Sequence, residues 1–197
     1  MSKAAVPALL LVLILNTGPW VHCNPTGAPL EACKVMEPKH NQDPMLTHHP
    51  YMLMTERTGT SFNVTLVTIK QKFPFKGFLI RAIQKKGSSE TYIRGQFARD
   101  TASPSVKFLN CDGYDGNAVT HTGNWTKGFI TVHWTPYRQP PQIATVLFRA
   151  TVLQHYSMYW LNVDSRIVLI GCSPFLEPNY SFIIVLLFAT RLFRNLY

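Results

Sequence analysis

Short runs in which apolar and polar residues alternate organise this chain, and no helical repeat continues past its first residues. Phe62, Val64 and Leu66 alternate with Asn63 and Thr65, a period of two that sets one strand face against a core and turns the other to solvent. Similar strand-like runs follow at Phe78–Ile83, Val106–Leu109, Phe129–Trp134, Thr145–Leu153, Tyr156–Val163 and Arg166–Ile170. Turn formers separate them: Lys86-Gly87-Ser88-Ser89, Ser103-Pro104-Ser105, the stretch from Asp112 to Asn117, and Pro136 to Pro141. About seven to eight such strands predict an all-β fold, a sandwich of two antiparallel sheets. Residues 24–56 carry Pro25, Pro29, Pro38, Pro44 and Pro50 with His40, His48 and His49, and are expected as a proline-rich, irregular lead-in laid over the sandwich.

Both termini follow other rules. Lys3 precedes an apolar run from Ala4 to Leu15 and then Thr17, Gly18 and Pro19, the pattern of a signal peptide over residues 1–23 and too short to span a bilayer. Residues 171–197 form a tail in which the apolar run Phe182–Ala189 is followed by Arg191 and Arg194. Eight apolar residues are too few for a membrane-crossing helix, which needs about 20. The tail is expected to be loosely held or the product of a truncated reading frame, with a short glycolipid-anchor signal as the alternative.

Secretion changes how the cysteines are read. Cys23, Cys33, Cys111 and Cys172 include no Cys-x-x-Cys pair, which leaves zinc-ribbon and thioredoxin-like chemistry without support and makes disulfides the natural use. Four cysteines allow three connectivities; cleavage after Cys23 would leave Cys172 an odd thiol in place of a Cys23–Cys172 pair. Three glycosylation sequons, at Asn63, Asn124 and Asn179, fit the same secreted, extracellular compartment.

Charge is uneven. The chain carries +9 overall, and residues 57–107 hold Arg57, Lys70, Lys72, Lys76, Arg81, Lys85, Lys86, Arg94, Arg99 and Lys107 against Glu90 and Asp100. In an extracellular setting the matching partners are heparin-like glycans, anionic lipid or microbial surfaces, not nucleic acid, and Lys70, Lys72, Lys76, Arg81, Lys85 and Lys86 are the candidate polyanion-binding residues. A solubilising face of strands and turns is the bland alternative.

Catalytic constellations do not emerge. There is no Gly-x-Ser-x-Gly, no Ser-x-x-Lys and no Gly-rich phosphate loop. Asp112 and Asp115 sit in a Gly-rich turn and read as turn formers, without the longer acidic loop of an EF-hand. The histidines, among them His40, His121 and His133, lack metal-ligand spacing, and His40 and His121 are expected to be hydrogen-bonded structural residues. Trp125, Trp134, Tyr156, Tyr159 and Trp160 suggest a sugar-binding platform, but their place on alternating strands predicts core packing. No enzyme, cofactor or metal is expected.

Several motifs together resemble the reeler (reelin N-terminal) domain. Gly27-Ala28-Pro29, Ala32-Cys33, Met36, Pro38 and His40 are similar to that family's entry, followed by Asp43-Pro44 and Pro50-Tyr51. Phe73 to Ala82 resembles its "F.GF.L.AR" strand, Gly95-Gln96-Phe97 its "G.F", and Cys111 with Thr120-His121 its "C…TH" element. Val132, Trp134 and Pro136 match "V.W..P", and Ala150-Thr151-Val152 with Tyr159-Trp160 match "AT.V…YW". The resemblance implies an immunoglobulin-like sandwich over residues 24–170, and a disulfide between Cys33 and Cys111. Its relatives include stand-alone insect defence proteins and the N-terminal domain of ferric-chelate reductase-like membrane proteins.

Three functions are therefore carried forward: an extracellular interaction module for proteins, anionic glycans or cell surfaces, a secreted innate-defence protein, or a truncated form of a reeler-containing membrane reductase. A sandwich without a catalytic cluster offers surfaces, which favours the first. Membrane association would depend on the tail.

Overall fold

A computed structural model of the chain describes residues 26–99, 103, 105–138 and 143–171. In it the alternating segments become eleven strands: β1 (Tyr51–Thr58), β2 (Ser61–Thr68), β3 (Gly77–Lys86), β4 (Ser89–Tyr92), β5 (Gly95–Arg99), β6 (Val106–Leu109), β7 (Ala118–His121), β8 (Phe129–Pro136), β9 (Ala144–His155), β10 (Met158–Asp164) and β11 (Val168–Ile170). Each of the seven runs read from the sequence overlaps a strand, although Arg166 and Ile167 precede β11. The count rises from about seven or eight to eleven because β1, β4, β5 and β7 escape that pattern. The lead-in ends at Pro50, not at residue 56, and Tyr156 lies in the turn before β10.

The strands form two antiparallel sheets, one ordered β1-β2-β8-β5 and the other β10-β9-β3-β7-β6, with β4 added beside β3 and β11 beside β9. Register puts apolar partners opposite one another: Phe62 faces Trp134, Val64 faces Val132 and Leu66 faces Ile130, all fully buried. Their neighbours Asn63 and His133, and Thr65 and Thr131, pair on the outer face of the small sheet. Between the sheets Trp134 meets Phe148 edge to face at 5.2 Å, with Phe62 and Phe97 packed around them. Each such aromatic contributes about 3–5 kcal/mol against truncation to alanine. Gly95 leaves room for this packing, because a Cβ there would fall inside the Trp134 indole.

Seven consecutive buried residues open β3, although a strand facing solvent on one side would alternate. Its inner face carries Phe78, Ile80 and Ala82 into the main core, while Leu79 on the outer face joins Ala32, Cys33, Met36, Cys111 and Ala118 in a second cluster. The lead-in supplies this outer cover. It forms a short 3-10 turn over Leu30–Cys33, and the Cys33–Cys111 disulfide closes it onto the turn at Cys111–Gly113, with Cα atoms 5.6 Å apart. Thr151 Oγ1 donates to the Met36 carbonyl, and Tyr159 Oη donates to that of Gln42 at 2.7 Å, fixing the segment along β9 and β10. Gly27 must be glycine here. Its φ of 112° is strained for any other residue, and a Cβ would strike the His121 carbonyl.

Candidate functional surface

No group of three or more His, Cys, Asp or Glu side chains is arranged to hold a metal ion among the described residues. The six candidate polyanion residues do not share one face. Arg81 is 1% exposed: its guanidinium donates to the Cys33 carbonyl at 2.6 Å and to Asp112 Oδ2 at 2.7 Å, and stacks under the Tyr92 ring. It holds the disulfide-bearing turn in place and is not available to a polyanion. The sequence charge count misassigns it because the lead-in covers the outer face of β3. Asp112, read as a turn former, is that with φ 55°, and it is also the anion that neutralises Arg81.

The remaining lysines separate to opposite ends of β3, whose ten residues span roughly 30 Å. At its C-terminal end Lys86 is exposed, while Lys85 reaches Glu90 at 3.4 Å. Glu90 also accepts from Arg149, which binds Asp164 as well, so Lys85 sits in a network of alternating charges. The Arg149 hydrogen bond is the chief reason that the Glu90 carboxyl lies below its ordinary pKa. Exposed pairs of this kind add little stability, but they leave Lys85 with less free charge to offer.

Lys70, Lys72 and Lys76 gather at the other end, all exposed in the β2–β3 connection. Two further connections meet them there: Lys76 N–H donates to the Leu153 carbonyl at 2.8 Å near the β9–β10 turn, and Phe75 and Lys127 exchange backbone hydrogen bonds at 3.0 and 2.8 Å. None of the connections 69–76, 122–128 and 156–157 contains a carboxylate. The cations here are therefore not offset within those loops.

Lys127 builds this end and carries no signal in the sequence. It is 6% exposed, and its ammonium donates to the carbonyls of Lys76 (2.8 Å), Gly123 (2.9 Å) and Trp125 (2.8 Å). Burial lowers its pKa to about 8. The same ammonium lies 4.7 Å from the Trp125 ring centroid, and Trp125 is 49% exposed. Trp125 thus departs from the core packing expected of it, as does Tyr156 at 40% exposure, whereas Trp134, Tyr159 and Trp160 are buried.

The histidines are dispersed. His40 stacks on Tyr156 at 4.4 Å and bonds through Nδ1 to the Tyr156 carbonyl, and His133 Nδ1 meets Asn63 Oδ1 at 3.1 Å. His121 is buried at the end of β7, where the Phe78 N–H donates to Nδ1 at 3.2 Å and Thr120 Oγ1 donates to the Phe78 carbonyl at 2.5 Å. These side chains complete the β3 ladder beyond its last β7 pair, Leu79 with Thr120. Desolvation lowers the His121 pKa to about 4, the Phe78 carbonyl 3.3 Å from Nδ1 opposes this by favouring the protonated ring, and the charges of Lys127 and Lys107 assist it. Both histidines expected to be structural, His40 and His121, are hydrogen-bonded.

Of the sequon asparagines, Asn124 is exposed beside Trp125, and Asn63 is half-buried on β2. The signal-peptide stretch 1–23 with Cys23, and Cys172, Asn179 and the tail beyond, lie outside the described residues. No described helix is long and apolar enough to cross a membrane.

Comparison with known proteins places these features. The profile of the Reeler domain matches residues 31–173. The "Putative defense protein" of Bombyx mori is 30% identical over 164 residues, which cover 79% of this chain and 90% of that protein. Ferric-chelate reductase 1 of Homo sapiens is 31% identical over 160 residues, covering 80% of this chain but 26% of the reductase. Among solved structures, the human F-spondin reeler domain aligns with a TM-score of 0.48 at 20% identity, over 66% of this chain and 95% of that one.

Proposed function

The chain belongs to the Reeler domain family, and on that premise we propose that it is a non-catalytic extracellular module that binds anionic glycans through its β2–β3 end. The observation that carries this reading is the exposure of Lys70, Lys72 and Lys76 together where three connections meet without a carboxylate. Charge of one sign on a pinned loop concentrates anions at low ordering cost. A secretory compartment is consistent with the Cys33–Cys111 bond and with the exposed sequon at Asn124. The match to the reductases spans about a quarter of their length, so their redox activity is not carried over.

Retention on immobilised heparin tests the reading. Wild-type protein is expected to elute only with added salt, because the contact is between exposed charges. Lys70→Ala, Lys72→Ala and Lys76→Ala combined should shift elution to clearly lower salt, whereas Lys85→Ala with Lys86→Ala should shift it much less. Equal elution of the wild type and the triple variant would refute the assignment of this end.

The extent of the match to the Bombyx mori protein favours a second reading, a defence protein whose ligand is a microbial surface polymer. Selective binding to lipoteichoic acid or lipopolysaccharide over heparin would support it.

A further inference from the structure

Charge alone does not account for Trp125. Its indole is half-exposed yet held from behind: a Cβ on Gly123 would fall inside the ring, so the ring lies directly on that backbone. The Lys127 ammonium sits 4.7 Å from the ring centroid and is fixed by the carbonyls of Gly123, Trp125 and Lys76. The Lys76 backbone carbonyl and the indole are thus neighbours across one ammonium. A large aromatic surface already locked in one orientation loses little entropy on binding. Its open part suits the apolar C–H face of a sugar ring, which packs against an aromatic π-face.

Resting on the polyanion reading above, we propose that Trp125 is the stacking platform for a pyranose ring of a sulfated or uronate-bearing polysaccharide whose anionic groups are held by Lys70, Lys72 and Lys76. Charge complementarity selects the occupant, since the connections 69–76 and 122–128 carry lysines and no carboxylate. The platform then distinguishes a glycan from a polyanion without a ring to stack, such as polyphosphate.

Two probes of opposite kind test this: a heparin hexasaccharide, and inorganic polyphosphate matched in charge, each titrated against the full secreted protein. Trp125→Ala is expected to weaken hexasaccharide binding roughly tenfold, leave polyphosphate binding within about twofold, and be largely rescued by Trp125→Phe. Thermal melting checks that each variant is folded. Equal loss on both probes would mean that Trp125 only shapes the loop, and no loss on either would mean that it does not touch the ligand; both overturn the platform. Hexasaccharide binding that emerges only in Asn124→Gln would assign the indole to the protein's own glycan, which also overturns it. A wild type that holds neither probe brings down the polyanion reading itself, and is distinct from one that holds both while Trp125→Ala changes nothing.

Discussion

Lowering the pH from about 7.5 to about 4.5 is expected to remove about 2.5 kcal/mol of folding stability through His121 alone. The imidazole is 9% exposed, and burial takes its pKa from the usual 6.5 to about 4 in the folded protein. It is neutral there, accepting the Phe78 N–H at Nδ1. Between those two values the unfolded chain binds a proton that the folded chain does not, so stability falls as pH drops through this window. It is fully present above the unfolded value and lost progressively down to the folded one. At about 1.4 kcal/mol per pH unit the whole window amounts to about 3 kcal/mol, most of it spent by pH 4.5. Urea unfolding followed by circular dichroism, with the disulfide intact, measures the effect in wild type and in His121→Asn. Asparagine can place an acceptor near the position of Nδ1 but does not titrate, so the variant should lose about 2.5 kcal/mol less than wild type over the same range. Carboxylates elsewhere titrate in both proteins and cancel in the difference. Parallel pH profiles, within about 0.5 kcal/mol, would refute the reasoning.

Replacing both Cys33 and Cys111 by serine opens a loop with a sequence separation of 78. By the chain-entropy estimate this costs about 4 kcal/mol, readable as a lower urea midpoint. Lys127→Met leaves the carbonyls of Lys76, Gly123 and Trp125 without their shared donor and is expected to cost about 2 kcal/mol. Amide exchange at Phe75, whose N–H bonds to the Lys127 carbonyl, should accelerate in the same variant. Gly95→Ala puts a methyl group into the Trp134 indole and should destabilise by about 1–3 kcal/mol, a loss that calorimetry would register as a lower Tm.

Much of the sandwich was legible because its central strands largely obey period two: in β2 and β8 the inward partners Phe62, Val64, Leu66, Ile130, Val132 and Trp134 are apolar, and Asn63, Thr65, Thr131 and His133 between them are polar. Strands lacking that signature were not. In β1, Met52 and Met54 are exposed beside the buried Tyr51 and Leu53, so apolar residues occupy both faces and hide the period. All four residues of β4 are exposed, and it exists only by pairing its backbone to β3. The four residues of β7 are all buried, held between β3 and β6 with no alternation to report them.

Local pattern thus determined strand identity along the core; motif resemblance pointed to the Cys33–Cys111 pair. The fate of each charge was decided by the tertiary structure. Arg81 and Lys76 lie in the same basic stretch and look alike in the sequence, yet one is sealed beneath the lead-in by Asp112 and the Cys33 carbonyl and the other stands in solvent. Likewise Lys127, an unremarked lysine in a polar loop, becomes the buried donor that joins two loops and backs Trp125. Burial and partnership depend on segments distant in sequence arriving at one place, and no local periodicity encodes that arrival.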